Sequence, residues 1–258
     1  MYRTLAVSVK NGVQIIRLNR PEKRNAINTD MYAEIPKALQ AGALDDNVVV
    51  TVMTGTGDYY CSGNDLNGYL QWDGNNLEKI VKESAKNLQA YVQTFIDFPK
   101  ILIAVVNGPA VGLATTTLAL FDLIYSSKTA TFSTPFIALG LTPEGCSSYT
   151  FPKIMGSTRA AQVLHFGKKL TANEALEWGF VSELYGPEEG SAVWDKIYSI
   201  AQLPTKSLIY SKRLLRSQDH AALTVANQKE CEQLMERWQS EDCMNAVVKF
   251  FSQKRSKL

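Results

Sequence analysis

Between Lys100 and Asp122 the chain runs for 21 residues without a charge, and this stretch constrains the fold more than any other. It is long enough to cross a bilayer as a helix. The order of its residues argues otherwise. Ile101-Leu-Ile-Ala-Val-Val106 is rich in β-branched side chains, Asn107-Gly-Pro-Ala-Val-Gly112 punctuates the middle, and Leu113-Ala-Thr-Thr-Thr-Leu-Ala-Leu120 follows. A buried strand that turns at the glycines into a buried helix accounts for all three parts, and a membrane span does not. The pattern predicts a strand at Ile101 to Val106 and a helix from about Gly112 to Leu120.

The flanking segments fit an α/β fold. Val13 to Leu18 and Val48 to Met53 are β-branched runs closed by turn signals and read as strands. Between them a helix starts near Asn28 or Thr29, with Met31, Ile35 and Leu39 at helical spacing. Leu123 to Ser126 begins a fourth strand. From Ser157 onward the pattern is helical almost throughout, over Arg159 to Phe166, Ala172 to Trp178, Glu188 to Ala201, Lys206 to Arg216, Leu223 to Gln239 and Cys243 to Ser252. The expectation is a sheet-containing core of about 155 residues followed by helices, with sheets covered by helices. At 258 residues the chain suits one large domain, or one with a helical appendage.

Several function classes are disfavoured. The balance of 27 basic against 25 acidic residues is too even for a nucleic-acid footprint. Cys61, Cys146, Cys231 and Cys243 form no Cys-x-x-Cys pair and accompany only His165 and His220, so neither a zinc site nor a disulfide framework is signalled. Gly55-Thr-Gly57 lacks the third glycine of a dinucleotide fingerprint, so no nicotinamide cofactor is expected. The first ten residues lack the apolar run of a secretory signal, and the chain ends in Ser256-Lys257-Leu258, a receptor-read peroxisomal address. An intracellular, peroxisomal location and an import receptor as partner are the expectations.

Three short segments can carry chemistry. At Gly108 to Leu113 the N–H groups of the following helix point toward whatever sits at its start, and glycine lets a ligand approach the backbone. The turn is either a tight connection or a place for a thioester oxygen that becomes an enolate. Cys61-Ser-Gly-Asn-Asp-Leu66 is a second glycine turn, read either as a polar loop with Asp65 capping a helix or as the source of a second donor, the N–H of Asn64, to the same oxygen. Glu144, in Leu141-Thr-Pro-Glu-Gly-Cys-Ser-Ser148, is a lone acid on a tight turn. An oxyanion site with one carboxylate suggests proton transfer next to a carbonyl, not a nucleophile.

Together, Ser62-Gly-Asn-Asp-Leu66, Asn107-Gly-Pro-Ala-Val-Gly-Leu113 and Pro143-Glu-Gly-Cys146 resemble the crotonase (enoyl-CoA hydratase/isomerase) superfamily. Lys23-Arg-Asn-Ala-Ile-Asn28, Ile96-Asp-Phe-Pro-Lys100, Ser147-Ser-Tyr-Thr-Phe-Pro-Lys-Ile154 and the terminal Ser-Lys-Leu look like its peroxisomal Δ3,Δ2-enoyl-CoA isomerase branch. The resemblance implies an α/β spiral of ββα units over residues 1–200, and a helical region over residues 201–258 that builds a homotrimer or hexamer. It implies an oxyanion hole from the backbone N–H groups of Asn64 and Leu113. It also implies a CoA path along Ser62, Gly63, Asn64, Asp65, Leu66 and Gly112, with Lys23 and Arg24 near the adenosine end. These two residues also read as a plain solvated turn.

Hydratases of this family place a carboxylate near the start of the central helix and another in the next unit. The matching positions here hold Thr116 and Phe136, neither of which exchanges a proton usefully near neutral pH. Glu144 lies where the isomerase branch has its single acid. The resemblance therefore implies an isomerase acting on 3-enoyl-CoA, needing no cofactor beyond the CoA of its substrate, with burial raising the pKa of Glu144. Its alternatives are a hydratase or other crotonase reaction, with Asp65 or Glu174 as the next acids to consider, and a non-catalytic acyl-CoA-binding subunit. Cys61 and Cys146 flank the site without a histidine in a recognisable pattern. Phe95, Phe132, Phe136 and Leu139 read either as acyl-pocket walls or as plain core.

Overall fold

The computed structural model describes residues 2–67 and 76–255. In chain order the strands are β1 (Leu5–Lys10), β2 (Val13–Leu18), β3 (Val50–Gly55), β4 (Ile101–Val106), β5 (Ala110–Val111), β6 (Leu123–Ser127), β7 (Thr131–Ser133), β8 (Leu170–Thr171) and β9 (Glu183–Tyr185). The helices are α1 (Thr29–Leu44), α2 (Leu77–Ile96), α3 (Leu113–Thr116), α4 (Ser147–Met155), α5 (Ser157–Leu164), α6 (Ala172–Glu177), α7 (Gly190–Ile200), α8 (Thr205–Ser217), α9 (His220–Trp238) and α10 (Glu241–Arg255).

The main sheet has the order β1-β2-β3-β4-β6-β9, antiparallel at the β1-β2 hairpin and parallel from β2 onward. Strand alternation splits its two faces between two cores. Val13, Val50, Val52, Ile103 and Val105 pack against Val193, Ile197 and Ala201 at α7. Ile16, Leu18, Met53, Leu102, Ala104 and Val106 face the larger core with α1 and α2. Both faces of β3 and β4 are thus covered, which explains why the sequence there is apolar without alternation. A second sheet, β5-β7-β8, sits at the end where the strand-to-helix turns gather.

Three strand and helix expectations are met closely. Strands β2 and β4 fall at the predicted residues, and α1 begins after Asn28, whose Oδ1 accepts the N–H of Met31 at 3.0 Å. The 21-residue uncharged run is a strand, a glycine turn and short helices, and among the described residues no helix is long and apolar enough to cross a membrane.

Other boundaries moved. β3 starts at Val50, not Val48, because Val48 and Val49 are held in the preceding turn by the carbonyls of Asp45 and Gly12. The helix expected to run to Leu120 keeps its α form only for Leu113–Thr116 and tightens to a 3₁₀ turn over Thr117–Leu120. The hydroxyls of Thr116 and Thr117 both bond back to the carbonyl of Leu113, in competition with the regular ladder. After Ser157 the chain is not wholly helical: β8 and β9 are edge strands of two and three residues, too short to show a period. β1 and α2 are further elements that the sequence reading left without assignment. The Asn11-Gly12 turn, with φ of 50° and 79°, is a hairpin signal that predicts β1 from sequence.

The helices beyond residue 200 have no separate core. Leu223, Cys231, Leu234, Trp238, Cys243 and Val247 belong to the same buried cluster as Ile16, Met31 and Leu88. α9 lies along α2 and touches α4, which brings its side chains behind the segment that carries Glu144.

Candidate active site

Two loops meet edge to edge above the C-terminal ends of β3 and β4. Cys61 and Ala110 pair as an isolated parallel bridge, with the N–H of Val111 donating to the Cys61 carbonyl at 3.0 Å. On its other side the same loop is tied to residues 24–27: the N–H of Ser62 donates to the Arg24 carbonyl, that of Ile27 to the Gly63 carbonyl and that of Asp65 to the Ile27 carbonyl, at 2.8–3.0 Å. Gly63, at φ 82°, allows the closeness; a Cβ there would lie 2.6 Å from the Val111 carbonyl oxygen. Asn25, fully buried, holds the approach with its Nδ2, which donates to the carbonyls of Thr56, Tyr59 and Tyr60.

This stitching leaves a defined pair of donors. From Cys61 to Asp65 every N–H except that of Asn64 has an acceptor among the described residues. Leu113, the first residue of α3 and so without a partner inside the helix, is the second. Both residues line one pocket of about 420 Å³ that is also bordered by Ser62, Gly63, Phe136 and Glu144. The structure therefore brings Asn64 and Leu113 to the same cavity, with no acceptor for either backbone N–H among the described residues.

Glu144 is the one acid bordering that cavity among the described residues. It is 5% exposed, and burial, followed by the negative charge of Glu230, pushes its carboxyl up to about 8. Its Oε1 accepts from Nδ2 of Asn64 at 3.4 Å, and Oδ1 of Asn64 accepts the Tyr32 hydroxyl at 2.8 Å. Asn64 thus touches the site twice, through its backbone and through its side chain. Gly145 and Cys146 after Glu144 are both left-handed, at φ 69° and 63°; a Cβ on Gly145 would meet Thr116 Oγ1 at 2.4 Å. Ser147 donates from both its N–H and its hydroxyl to the carbonyl of Glu144.

Other residues singled out from sequence are placed as follows. Lys23 and Arg24 are exposed on the turn beside Ser62, with the Arg24 guanidinium 5.1 Å from the Tyr59 ring centre. Leu66 and Gly112 border the pocket. Asp65 turns away to Arg20, at 3.4 Å, and to the amide of Asn67. Phe136 and Leu139 line the cavity, whereas Phe95 and Phe132 do not: Phe95 packs on Tyr91 and Phe121, and Phe132 on Phe180, in the core. Cys61 and Cys146 are buried thiols shifted upward by burial, Cys61 to about 12, a poor setting for a nucleophile. His165, read from sequence only in the context of metals, is not part of the site, and no group of three metal-ligating side chains occurs among the described residues. Ser256, Lys257 and Leu258 lie outside the described residues.

The model of the enoyl-CoA hydratase/isomerase family matches residues 8–256. The chain belongs to the enoyl-CoA hydratase/isomerase family. It is 50% identical over 255 residues to human enoyl-CoA delta isomerase 2, covering 98% of this chain and 64% of that protein. It is 46% identical over 254 residues to mouse enoyl-CoA delta isomerase 3, peroxisomal, covering 98% of this chain and 79% of the relative. A crystal structure of an enoyl-CoA hydratase/isomerase from Pseudoalteromonas atlantica T6c superposes with a TM-score of 0.88 at 30% identity, over 97% of this chain and 98% of that one. The chain therefore spans just under two thirds of the length of the human relative.

The two positions that the resemblance matches to hydratase acids carry no acid here. Thr116 is fully buried, with its hydroxyl on the Leu113 carbonyl, and Phe136 presents an aromatic ring to the cavity. Glu174 is 3.1 Å or less from the N–H and hydroxyl of Thr171 and pairs with Lys168, far from the cavity lining. Residues that the sequence reading missed include Tyr32 and Glu230, and Lys249 and Phe250 of α10, which line the cavity. Asn25 lies inside the segment Lys23 to Asn28 but was given no role of its own, and Tyr32 follows that segment. Glu230 carries only one sequence signal, a charge on the stripe Leu223, Asn227, Cys231, Leu234 that α9 buries.

Proposed function

We propose that this chain isomerises 3-enoyl-CoA to trans-2-enoyl-CoA, with Glu144 as both base and acid. The reading is carried by one observation: a single buried acid borders the cavity that Asn64 and Leu113 also border, and the backbone N–H groups of those two residues have no acceptor among the described residues. A thioester carbonyl oxygen bound by the N–H groups of Asn64 and Leu113 acidifies the α-proton. Glu144 takes that proton, the electron pair moves into the dienolate, and each N–H donor stabilises its oxygen by roughly 3 kcal/mol. Protonated Glu144 then delivers the proton to the γ-carbon, and the double bond comes to rest between the α- and β-carbons. The cycle leaves the enzyme unchanged, is neutral in electrons and calls for no cofactor.

The raised pKa of Glu144 suits this double role, because a carboxyl near 8 gives up and recovers a proton near neutral pH at little cost. The names of the human and mouse relatives support the same reaction. Lys23 and Arg24 beside Ser62 are suited to the phosphates of CoA. The terminal Ser-Lys-Leu and the name of the mouse relative support a peroxisomal location through the import receptor. Exposed Tyr210, Leu214 and Leu215 on α8 support assembly of copies into a trimer or hexamer.

The test is a pair of assays on purified protein. Conversion of 3-hexenoyl-CoA to the conjugated 2-enoyl thioester is expected, with hydration of 2-enoyl-CoA slower by at least about 100-fold, since no second acid is in place. Comparable rates in both assays overturn the reading in favour of a hydratase. Binding without either turnover favours a non-catalytic acyl-CoA-binding subunit.

A further inference from the structure

The second buried carboxylate near the cavity takes no part in the shuttle just described, yet its geometry is specific. Glu230 is 6% exposed on α9. Its Oε2 accepts the N–H of Cys146 at 2.7 Å and its Oε1 the N–H of Ser148 at 2.8 Å. Each oxygen thus holds one donor of the turn that enters α4. No cation is bonded to it among the described residues; its partners there are two backbone amides and the Ser148 side chain, so a carboxyl sits in the core without a countercharge. A helix start is satisfied by a serine or asparagine without burying a charge, so capping alone leaves a carboxylate unexplained.

The held residues follow Glu144 closely in the chain. Gly145 and Cys146 occupy consecutive left-handed conformations, and Cys146 is one of only four non-glycine residues with positive φ among those described. A non-glycine residue in that conformation costs of order 1 kcal/mol and persists where its surroundings hold it. The Cys146 N–H bond to Glu230 supplies such a hold one residue beyond the Glu144–Gly145 link. We propose that Glu230 is a positioning residue of the reaction, clamping the turn at Cys146 and Ser148 so that the Glu144 carboxyl is held at the cavity with a second carboxyl behind it.

Among the described residues the cation that borders the same cavity as Glu144 is Lys249 of α10, exposed at its rim. Around Glu144, from α9 come Glu230 and Cys231, from α2 Tyr91, and from the oxyanion loop the neutral amide of Asn64. Cys231 is shifted up to about 12 and Tyr91 well upward, both mainly by burial, so neither carries charge near neutrality. Arg216 acts in this neighbourhood on Cys146 and is engaged by Asp122 and the Leu120 carbonyl. Burial pushes the Glu230 carboxyl up, and its hydrogen bonds from Ser148 and Cys146 pull against that rise. A charged Glu230 makes the protonated form of Glu144 easier to reach, which favours the proton's return to the γ-carbon.

This inference rests on Glu144 as the shuttle, and its test separates the two. In Glu230→Gln the side chain keeps its size, loses its charge and turns an NH₂ toward one of the two amides. Glu230→Asp keeps the charge on a shorter stem. For Glu230→Gln, kcat is expected to fall about 10-fold with KM within about 2-fold, and the acid limb of kcat/KM to move to lower pH. For Glu230→Asp a fall in kcat is expected with the limb near its original position. The carboxyl of Glu144, followed by infrared difference spectra without substrate, should titrate lower in Glu230→Gln, a readout that stands even where Glu144 is not the shuttle. An unmoved titration and an unmoved limb in Glu230→Gln overturn the inference, including when kcat falls, because that pattern is plain structural damage. Loss of turnover in Glu144→Gln is the separate check on the shuttle.

Discussion

Replacing Glu144 by Gln should cost activity and raise stability, and the second effect follows from the first residue's environment. The carboxyl ordinarily titrates at 4.5 and is pushed up to about 8 by burial and by Glu230. A carboxyl raised in the folded state contributes its full stability below the unfolded value, and loses it as pH rises toward the folded value. The window therefore runs from 4.5 to about 8. At about 1.4 kcal/mol per pH unit, the whole window is worth about 5 kcal/mol, and the part between roughly pH 5 and pH 7 about 3 kcal/mol. Gln keeps the size and the Asn64 contact on one side but does not titrate. The wild type should thus lose about 3 kcal/mol relative to Glu144→Gln over that interval, a difference in Tm of roughly 6 to 12 °C for a chain of this size. Thermal or urea unfolding of both proteins at fixed concentration reads it. In parallel, kcat should fall at least about 100-fold, with acyl-CoA binding retained because the oxyanion donors are backbone groups. A stability difference that does not change with pH, or near wild-type turnover in the variant, refutes the argument.

Three further outcomes follow from particular contacts. Gly63→Ala puts a Cβ 2.6 Å from the Val111 carbonyl at φ 82°; it should destabilise by about 2 kcal/mol and cut kcat/KM by well over 10-fold, since it pries the Asn64 and Leu113 donors apart, and steady-state kinetics with unfolding data check both. Lys212, buried on α8, donates to the Lys100 carbonyl and to Asp122 at 2.7 Å each; Lys212→Met should cost about 3 kcal/mol by leaving Asp122 half-paired, while kcat changes little, as urea midpoints and initial rates will show. Removing Ser256 to Leu258 should leave turnover intact and the protein outside peroxisomes, which fluorescence microscopy in cells lacking a full-length copy reads directly.

How much of this was legible in the residues varies with the range of the interactions. The strands at Val13 and Ile101 and the start of α1 at Asn28 are written locally, in β-branched runs and a capping side chain, and need no distant partner. The pairing of two glycine turns with one acid was legible too, because an oxyanion turn needs glycine and N–H groups within a few residues, and because Thr116 and Phe136 stand at positions where family resemblance leads one to look for carboxylates. Asp65 and Glu174, by contrast, were ambiguous as acids until their partners Arg20 and Lys168 came into view.

What the tertiary structure decided is what depends on segments far apart in the chain. Strands β8 and β9 are two and three residues long and exist only because an edge was waiting for them. Phe95 and Phe132 have the composition of an acyl pocket and the position of a core, a difference that no spacing encodes. Glu230 lies 84 residues from Cys146 in sequence and 2.7 Å away in space. In the chain it is one more charge on a helix; α9 packing along α2 and against α4 is what buries it, denies it water and leaves the amides beside Glu144 as its partners. Residue types and local patterns thus set which chemistry was available, whereas burial and long-range contact set the proton affinity of Glu144, because desolvation belongs to no single segment.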